Sequence, residues 1–180
     1  SGNDMCSIVN LVRGQPQPNK RRKVQDLRPI VYVRFNTRLG KPKPITLRAL
    51  LDSGGSSNLI SSSFTKKLKL RESSKGTTKW STPAGTLVTN KTCKGQFTIP
   101  ELHDNRLIEW ELHVTKNMGA YDMIIGRDVM QDLKIDIRFS DQMVYWDGSE
   151  MPFKDVDENI DTSYYIEDPE SITAELYRAE

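Results

Sequence analysis

The sequence predicts an all-β domain. Three observations carry this: many short runs of β-branched and aromatic residues, turn signals between nearly all of them, and few stretches with a helical period. Short strands punctuated in this way argue for a closed or sandwiched sheet. No internal repeat interrupts the pattern.

The elements follow in order. Residues 1–28 hold few apolar side chains, and Gly14-Gln15-Pro16-Gln17-Pro18 precedes the basic tetrad Lys20-Arg21-Arg22-Lys23. Proline, glutamine and clustered like charge disfavour regular structure, so this is expected to be a flexible basic arm. The tetrad reads first as a solvated linker; a nuclear signal or a nucleic-acid contact are the alternatives. From residue 29 the texture changes. Ile30–Phe35 reads as a strand, Gly40–Pro44 as a turn, and Ile45–Leu51 as a strand whose last residues enter a core. Leu59-Ile60 and Phe64…Leu68 suit a strand followed by a short helix. Thr77–Trp80 and Thr86–Thr89 flank a polar turn at 81–85. Further strands are expected at 95–99 and 107–114. Residues 121–125 form an apolar strand, and a helix follows through Val129–Leu133. Lys134–Phe139 alternates strictly, and Met143–Trp146 is a last short strand.

The charge is divided along the chain. Residues 1–29 carry six Lys/Arg against two Asp/Glu, and residues 151–180 carry two against nine. The domain is therefore expected at 29–150, followed by an acidic extension, 151–180, that is partly helical. Asp168-Pro169-Glu170 is a helix start, with Ile172, Leu176 and Tyr177 on one face. No apolar run approaches the ~18 residues that span a bilayer, so no membrane is expected. Nothing resembles a secretory leader, and two cysteines make no disulfide framework. The expected setting is intracellular.

The residue that carries chemistry is Asp52. A carboxylate at the end of an apolar strand is costly unless it is hydrogen-bonded or functional. The glycines of Ser53-Gly54-Gly55 let the chain turn sharply and bring backbone N–H groups to that carboxylate. A structural turn residue and a serine-phosphorylated recognition peptide are the bland readings. The apolar flanks Leu50-Leu51 and Leu59-Ile60 argue against the second, which needs exposure. His103, His113 and Cys93 match no zinc spacing and read as surface or edge positions and a plain thiol. Tyr32, Trp110 and Trp146 read as core aromatics. No metal and no cofactor are expected.

The series Leu50-Leu51-Asp52-Ser53-Gly54-Gly55, a hairpin, then Ile124-Ile125-Gly126-Arg127-Asp128 resembles the retropepsins, the aspartic proteases of retroviruses and long-terminal-repeat retrotransposons. Tyr121-Asp122 before the second loop, and Val144-Tyr145-Trp146-Asp147-Gly148 after it, resemble the retrotransposon (Ty3/gypsy-like) members most. The likeness covers roughly residues 29–150. It implies a retropepsin-like half-barrel, with one short helix after the Ile-Ile-Gly strand, whose active site forms in a homodimer. It also implies roles. Asp52 would be the catalytic aspartate. Ser53 would brace the two loops across the dimer axis, and Gly54 would offer its carbonyl to substrate. Gly126 would let the second loop pack behind the first. Thr82, Pro83, Ala84 and Gly85 would form the flap tip, with Trp80 packing the flap down. Gly55 stands where alanine is usual, which should loosen the loop slightly. Ser56 and Ser57 stand where many viral members have acids, so the Arg127 side chain would need another partner: Asp128, Asp122 or a backbone carbonyl. The implied activity is aspartic endopeptidase, on an extended peptide of a retroelement polyprotein, in the cytoplasm or a virus-like particle. Leu50, Ile60 or Ile124 would line the cleft. A catalytically inactive retropepsin fold serving dimerisation is the alternative.

Overall fold

A computed structural model describes residues 26–37, 40–82, 85–116, 118–157 and 175–178. Strands β2 (Ile30–Phe35) and β3 (Thr46–Leu51) form an antiparallel pair that opens the domain. Strand β4 (Leu59–Ser61) runs into helix α1 (Ser62–Lys67). Then come β5 (Glu72–Thr82), β6 (Gly85–Ile99) and β7 (His103–Thr115), followed by β8 (Met123–Ile125) and helix α2 (Arg127–Leu133). The chain continues through β9 (Ile135–Arg138), β10 (Met143–Trp146) and β11 (Ser149–Pro152).

The main sheet runs β7-β4-β8-β3-β2-β6, and β6 pairs again with β7. That second pairing closes six strands into a barrel. Alternate residues of the strands fill it. Val31, Val33 and Phe35 meet Leu47, Ala49 and Leu51, with Phe97, Ile108, Leu112, Met123 and Ile125 around them. Phe35 and Phe97 lie 5.3 Å apart between ring centroids. Strand β2 is buried at all six positions because its outer face is covered too. Lys154 lies over the Tyr32 ring and donates to the Ile30 carbonyl, and its ammonium pairs with Glu101 at 3.1 Å.

Both domain boundaries move outward from the expected ones. Leu27–Arg28 forms β1, paired antiparallel with β12 (Lys154–Asp155). Met151 and Phe153 belong to the core. The reason lies in Asp147-Gly148, where both residues have positive φ (43° and 83°). This two-residue turn pairs Trp146 with Ser149 and folds β11 back on β10. The acidic extension also differs. Residues 158–174, including the expected helix start at Asp168, lie outside the described residues. Glu175–Arg178 forms β13, a parallel strand beside Arg106–Glu109 of β7, so Leu176 and Tyr177 do not share a helical face. At that level β7 has a free edge, and backbone pairing there outweighs a local helix signal. The tetrad Lys20–Lys23 lies outside the described residues as well.

The expected strands at 86–89 and 95–99 are one strand, β6, which pairs with β5 in a long hairpin. Among the described residues, β6 beyond the Thr92–His113 pair has only β5 beside it, so this arm projects from the barrel.

Candidate active site

Strand β3 ends in the core at Leu51, and the next residue leaves it. Asp52 is half-buried, and Ser53 and Gly54 are exposed. The Gly54 N–H donates to Asp52 Oδ1 at 3.0 Å, and the Gly55 N–H donates to the Asp52 carbonyl at 3.1 Å. The glycine turn thus curls back on the carboxylate, as the sequence suggested.

Behind this loop lies the 125–127 segment, tied to it by three consecutive residues. The Asp52 N–H donates to the Ile125 carbonyl at 2.9 Å. The Gly126 N–H donates to Asn58 Oδ1 at 2.7 Å, and the Arg127 N–H donates to the Gly55 carbonyl at 2.7 Å. Gly126 is required by the closeness of this approach. A Cβ there would stand 2.4 Å from the Ser57 carbonyl oxygen and 3.0 Å from that of Gly55. At Gly55 a Cβ would meet nothing nearer than 3.4 Å, so that position has ordinary room.

The expectation for Arg127 is revised. Its backbone N–H, not its guanidinium, reaches a carbonyl of the loop, and its side chain is exposed. Asp128 is engaged elsewhere: its carboxylate accepts both contacts from Asn58 Nδ2 (3.1 Å each), one from Trp110 Nε1 (3.1 Å) and one from the Val129 N–H (2.8 Å). Asp122 accepts from the Arg48 N–H at 2.8 Å. Burial raises the Asp122 carboxyl above its usual range, against the opposing pull of that bond, Arg48 and Lys67.

Asn58, Asp128 and Trp110 were not read as site residues in the sequence. Asn58 is 1% exposed, although it sits in a run of serines and glycines. The available signal was its place just before the apolar pair Leu59-Ile60, where a polar side chain is drawn inward and must find partners. Ile60 is fully buried in the core and lines no cleft, whereas Leu50 and Ile124 are half-buried.

Trp80 lies in the projecting hairpin and packs downward. Its Nε1 donates to Thr89 Oγ1 at 2.9 Å, and its ring meets the His113 ring edge-on at 4.8 Å. The His113 N–H donates to the Asn58 carbonyl at 2.8 Å, so the hairpin base is joined to the Asp52 loop through one residue. His113 is half-buried rather than on the surface, and burial holds its imidazole below the ordinary value. His103 is also half-buried and engages the Trp146 carbonyl. Thr82 and Gly85 close the hairpin strands; Pro83 and Ala84 lie outside the described residues.

Beside the loop runs an open groove of about 390 Å³, lined by Ser53, Arg127, Met130, Lys134, Ile137 and Phe139 among others. Phe139 is 67% exposed, a large apolar surface for a residue at the end of a strand. Among the described residues β9 pairs with β10 alone, which leaves its other edge open.

A closed barrel presenting one Asp-Ser-Gly carboxylate on a glycine turn, backed by an Ile-Ile-Gly loop, defines a retropepsin-like, protease-type fold. The aspartyl protease family matches over residues 33–129, and the chain belongs to that family. Among solved structures, the chain is similar to the retroviral protease-like domain of Ddi1 from Leishmania major. That match has 15% identity, a TM-score of 0.50, and covers 76% of this chain and 100% of the other. It is also similar to EIAV protease complexed with the inhibitor HBY-793, with 22% identity, a TM-score of 0.46, and coverage of 67% and 97%. No curated protein matches.

Proposed function

We propose that the chain is an aspartic endopeptidase that works as a homodimer, with Asp52 of each copy supplying half of the catalytic pair. The observation that carries this reading is the Asp52 half-site. A carboxylate stands at the rim of the barrel on a turn tied down from behind, and the sequence holds a single Asp-Ser/Thr-Gly. Peptide hydrolysis by carboxylates needs one base and one acid together. Two carboxyls at roughly 3 Å share one proton, so the pair supplies both. The charged member takes a proton from water as it attacks the scissile carbonyl. The protonated member donates toward the developing oxyanion, and a proton then passes to the leaving nitrogen.

A two-fold axis beside Asp52 must cross the surface next to it. The groove from Ser53 to Phe139, with the open edge of β9, supplies an apolar surface at that place. The substrate is an extended peptide held as an added strand beneath the two hairpins. The series of motifs favours the retroelement polyprotein as the natural target, cut in the cytoplasm or in the particle it builds.

The test is Asp52→Asn, assayed on a peptide library and on a precursor containing the chain, with mass measured in solution. Cleavage should vanish while the dimer mass stays, and a statine-type inhibitor should block the wild type. A wild-type dimer with no turnover from mildly acidic to neutral pH would leave the dimerisation-module reading in its place. Cleavage that survives Asp52→Asn would refute the assignment of the carboxylate.

A further inference from the structure

Asn58 makes more bonds than a turn residue needs. Its side chain is buried, its oxygen accepts the Gly126 N–H, and its nitrogen donates to both oxygens of Asp128. Its carbonyl takes the His113 N–H from β7. Every hydrogen-bonding atom of its amide except one N–H direction is thus placed by geometry. Asp128, at the start of α2, in turn collects Trp110 Nε1 from β7. Three segments therefore converge on one amide–carboxylate pair: the Asp52 loop, the 125–127 segment and the middle of the barrel wall.

We propose that Asn58, which is buried, and Asp128, which is half-buried, form a clamp that positions Asp52, and that both are positioning residues for the hydrolysis proposed above, on which this inference rests. The other two ties between the loops are backbone to backbone and independent of side-chain identity. The clamp is the one that depends on chemistry: a neutral amide facing a carboxylate. It fixes Gly126, and Gly126 lies between Ile125, which holds the Asp52 N–H, and Arg127, which holds the Gly55 carbonyl. A slack clamp lets the 125–127 segment move, and Asp52 moves with it. Displacement of a catalytic group by about 1 Å costs on the order of 100-fold in rate with little effect on substrate binding elsewhere.

The test exchanges the two chemistries in the full chain. Asn58→Asp sets two carboxylates against each other. Asp128→Asn turns an amide N–H toward either Trp110 Nε1 or the Val129 N–H, whichever way it is flipped. The double exchange Asn58→Asp with Asp128→Asn restores one of the two amide–carboxylate contacts with its polarity reversed and keeps acceptors for Gly126 and Trp110; the Val129 contact is lost, and the second clamp contact becomes oxygen against oxygen. Trp110→Phe is the mild variant, removing one donor and keeping the ring. Each single exchange should lower kcat by about 100-fold with KM within about threefold, and Trp110→Phe by about tenfold. The double exchange should regain at least about tenfold over the singles. Amide exchange at Asp52, Gly126 and Arg127, followed by NMR, should quicken in the singles and slow again in the double, and this readout needs no turnover. Should the wild type cleave nothing, the proposed activity falls, and amide exchange alone decides the clamp. Singles that keep kcat, activity lost only in proportion to folded dimer, or a folded double exchange no better than the singles would each overturn it. If the singles do not fold, Trp110→Phe with full kcat and unchanged amide exchange overturns it.

Discussion

Replacing Gly126 by alanine adds one methyl group, and the structure says where it must go. The new Cβ would lie 2.4 Å from the Ser57 carbonyl oxygen, 2.9 Å from its carbon and 3.0 Å from the Gly55 oxygen. All three are backbone atoms, so no side chain can turn aside. Relief to an ordinary contact needs the two loops to part by close to 1 Å. The bonds between them start at 2.7, 2.7 and 2.9 Å, and that movement stretches them past useful length. Overpacking strain of about 1–3 kcal/mol and the loss of one or two buried bonds at about 1 kcal/mol each give a destabilisation of about 3 kcal/mol. For a body of this size that lowers Tm by roughly 10 °C. Gly55→Ala is the control. Its Cβ meets Asp52 at no less than 3.4 Å, so its effect should stay within about 0.5 kcal/mol. Urea unfolding of both variants, with peptide cleavage measured on the folded fraction, makes the comparison. A Gly126→Ala protein within about 1 kcal/mol of wild type and fully active would refute the close-approach argument.

Other outcomes follow from the same geometry. Phe139→Asp should weaken the proposed dimer: if the interface covers this ring, hiding it is worth about 2 kcal/mol per protomer, so losing it from both raises Kd roughly 1,000-fold, read by sedimentation at several concentrations. A variant whose Kd stays within tenfold of wild type would move the interface elsewhere. Burial, with Glu72 and Glu111 nearby, pushes the Cys93 thiol up to about 12, so in a Cys6→Ser background it should resist alkylation near pH 8.5 until the chain unfolds. Because that value is raised on folding, stability should fall as pH rises above the ordinary thiol range of about 8.5 and Cys93→Ala should flatten the fall. Rapid labelling of native protein would contradict this. Asp122 also has its value raised, chiefly by burial, so its contribution is complete below the ordinary range of about 4 and is lost as pH rises through the folded value. Asp122→Asn keeps an acceptor for the Arg48 N–H without a charge to bury, and should be more stable than wild type at about pH 7 by thermal unfolding. Equal or lower stability there would show that Arg48 and Lys67 outweigh the burial.

Strands were legible by composition at Ile30–Phe35, which is buried on both faces, and by alternation at Thr46–Leu51 and in β7, where one face is more buried than the other. Asp52 was legible because a carboxylate after Leu50-Leu51 conflicts with its surroundings, and such conflicts mark function. Asn58 was not, because its partners lie 68 and 70 residues away, and a serine-glycine run hides a residue that folding buries. Arg127 supports the loop through its backbone N–H on the Gly55 carbonyl, a contact that side-chain identity does not signal. The Asp147-Gly148 pair is a turn signal in the sequence, and the hairpin it makes carries the domain past residue 150. The strand at 175–178 had no local sign, since the free edge of β7 that receives it exists only once the barrel has closed.

The backing of the Asp52 loop follows from what its front must do. In the proposed dimer, two carboxyl groups are brought to about 3 Å; the proton they share relieves most of their repulsion, and what remains acts to push each loop back into its own barrel. A loop held by side chains alone would yield to that push and widen the gap between acid and base. Here the resistance is mostly backbone: Asp52 hangs from Ile125, Gly55 from Arg127, and Gly126 sits too close to Ser57 to retreat. Backbone ties of this kind tolerate drift in side-chain identity. The amide–carboxylate clamp at Asn58 and Asp128 is the exception, and it stands where the loop returns to β4, beside the backbone bond from the His113 N–H to the Asn58 carbonyl. Rigidity from behind and an unobstructed carboxylate in front are therefore one requirement, met by the same few residues in each copy.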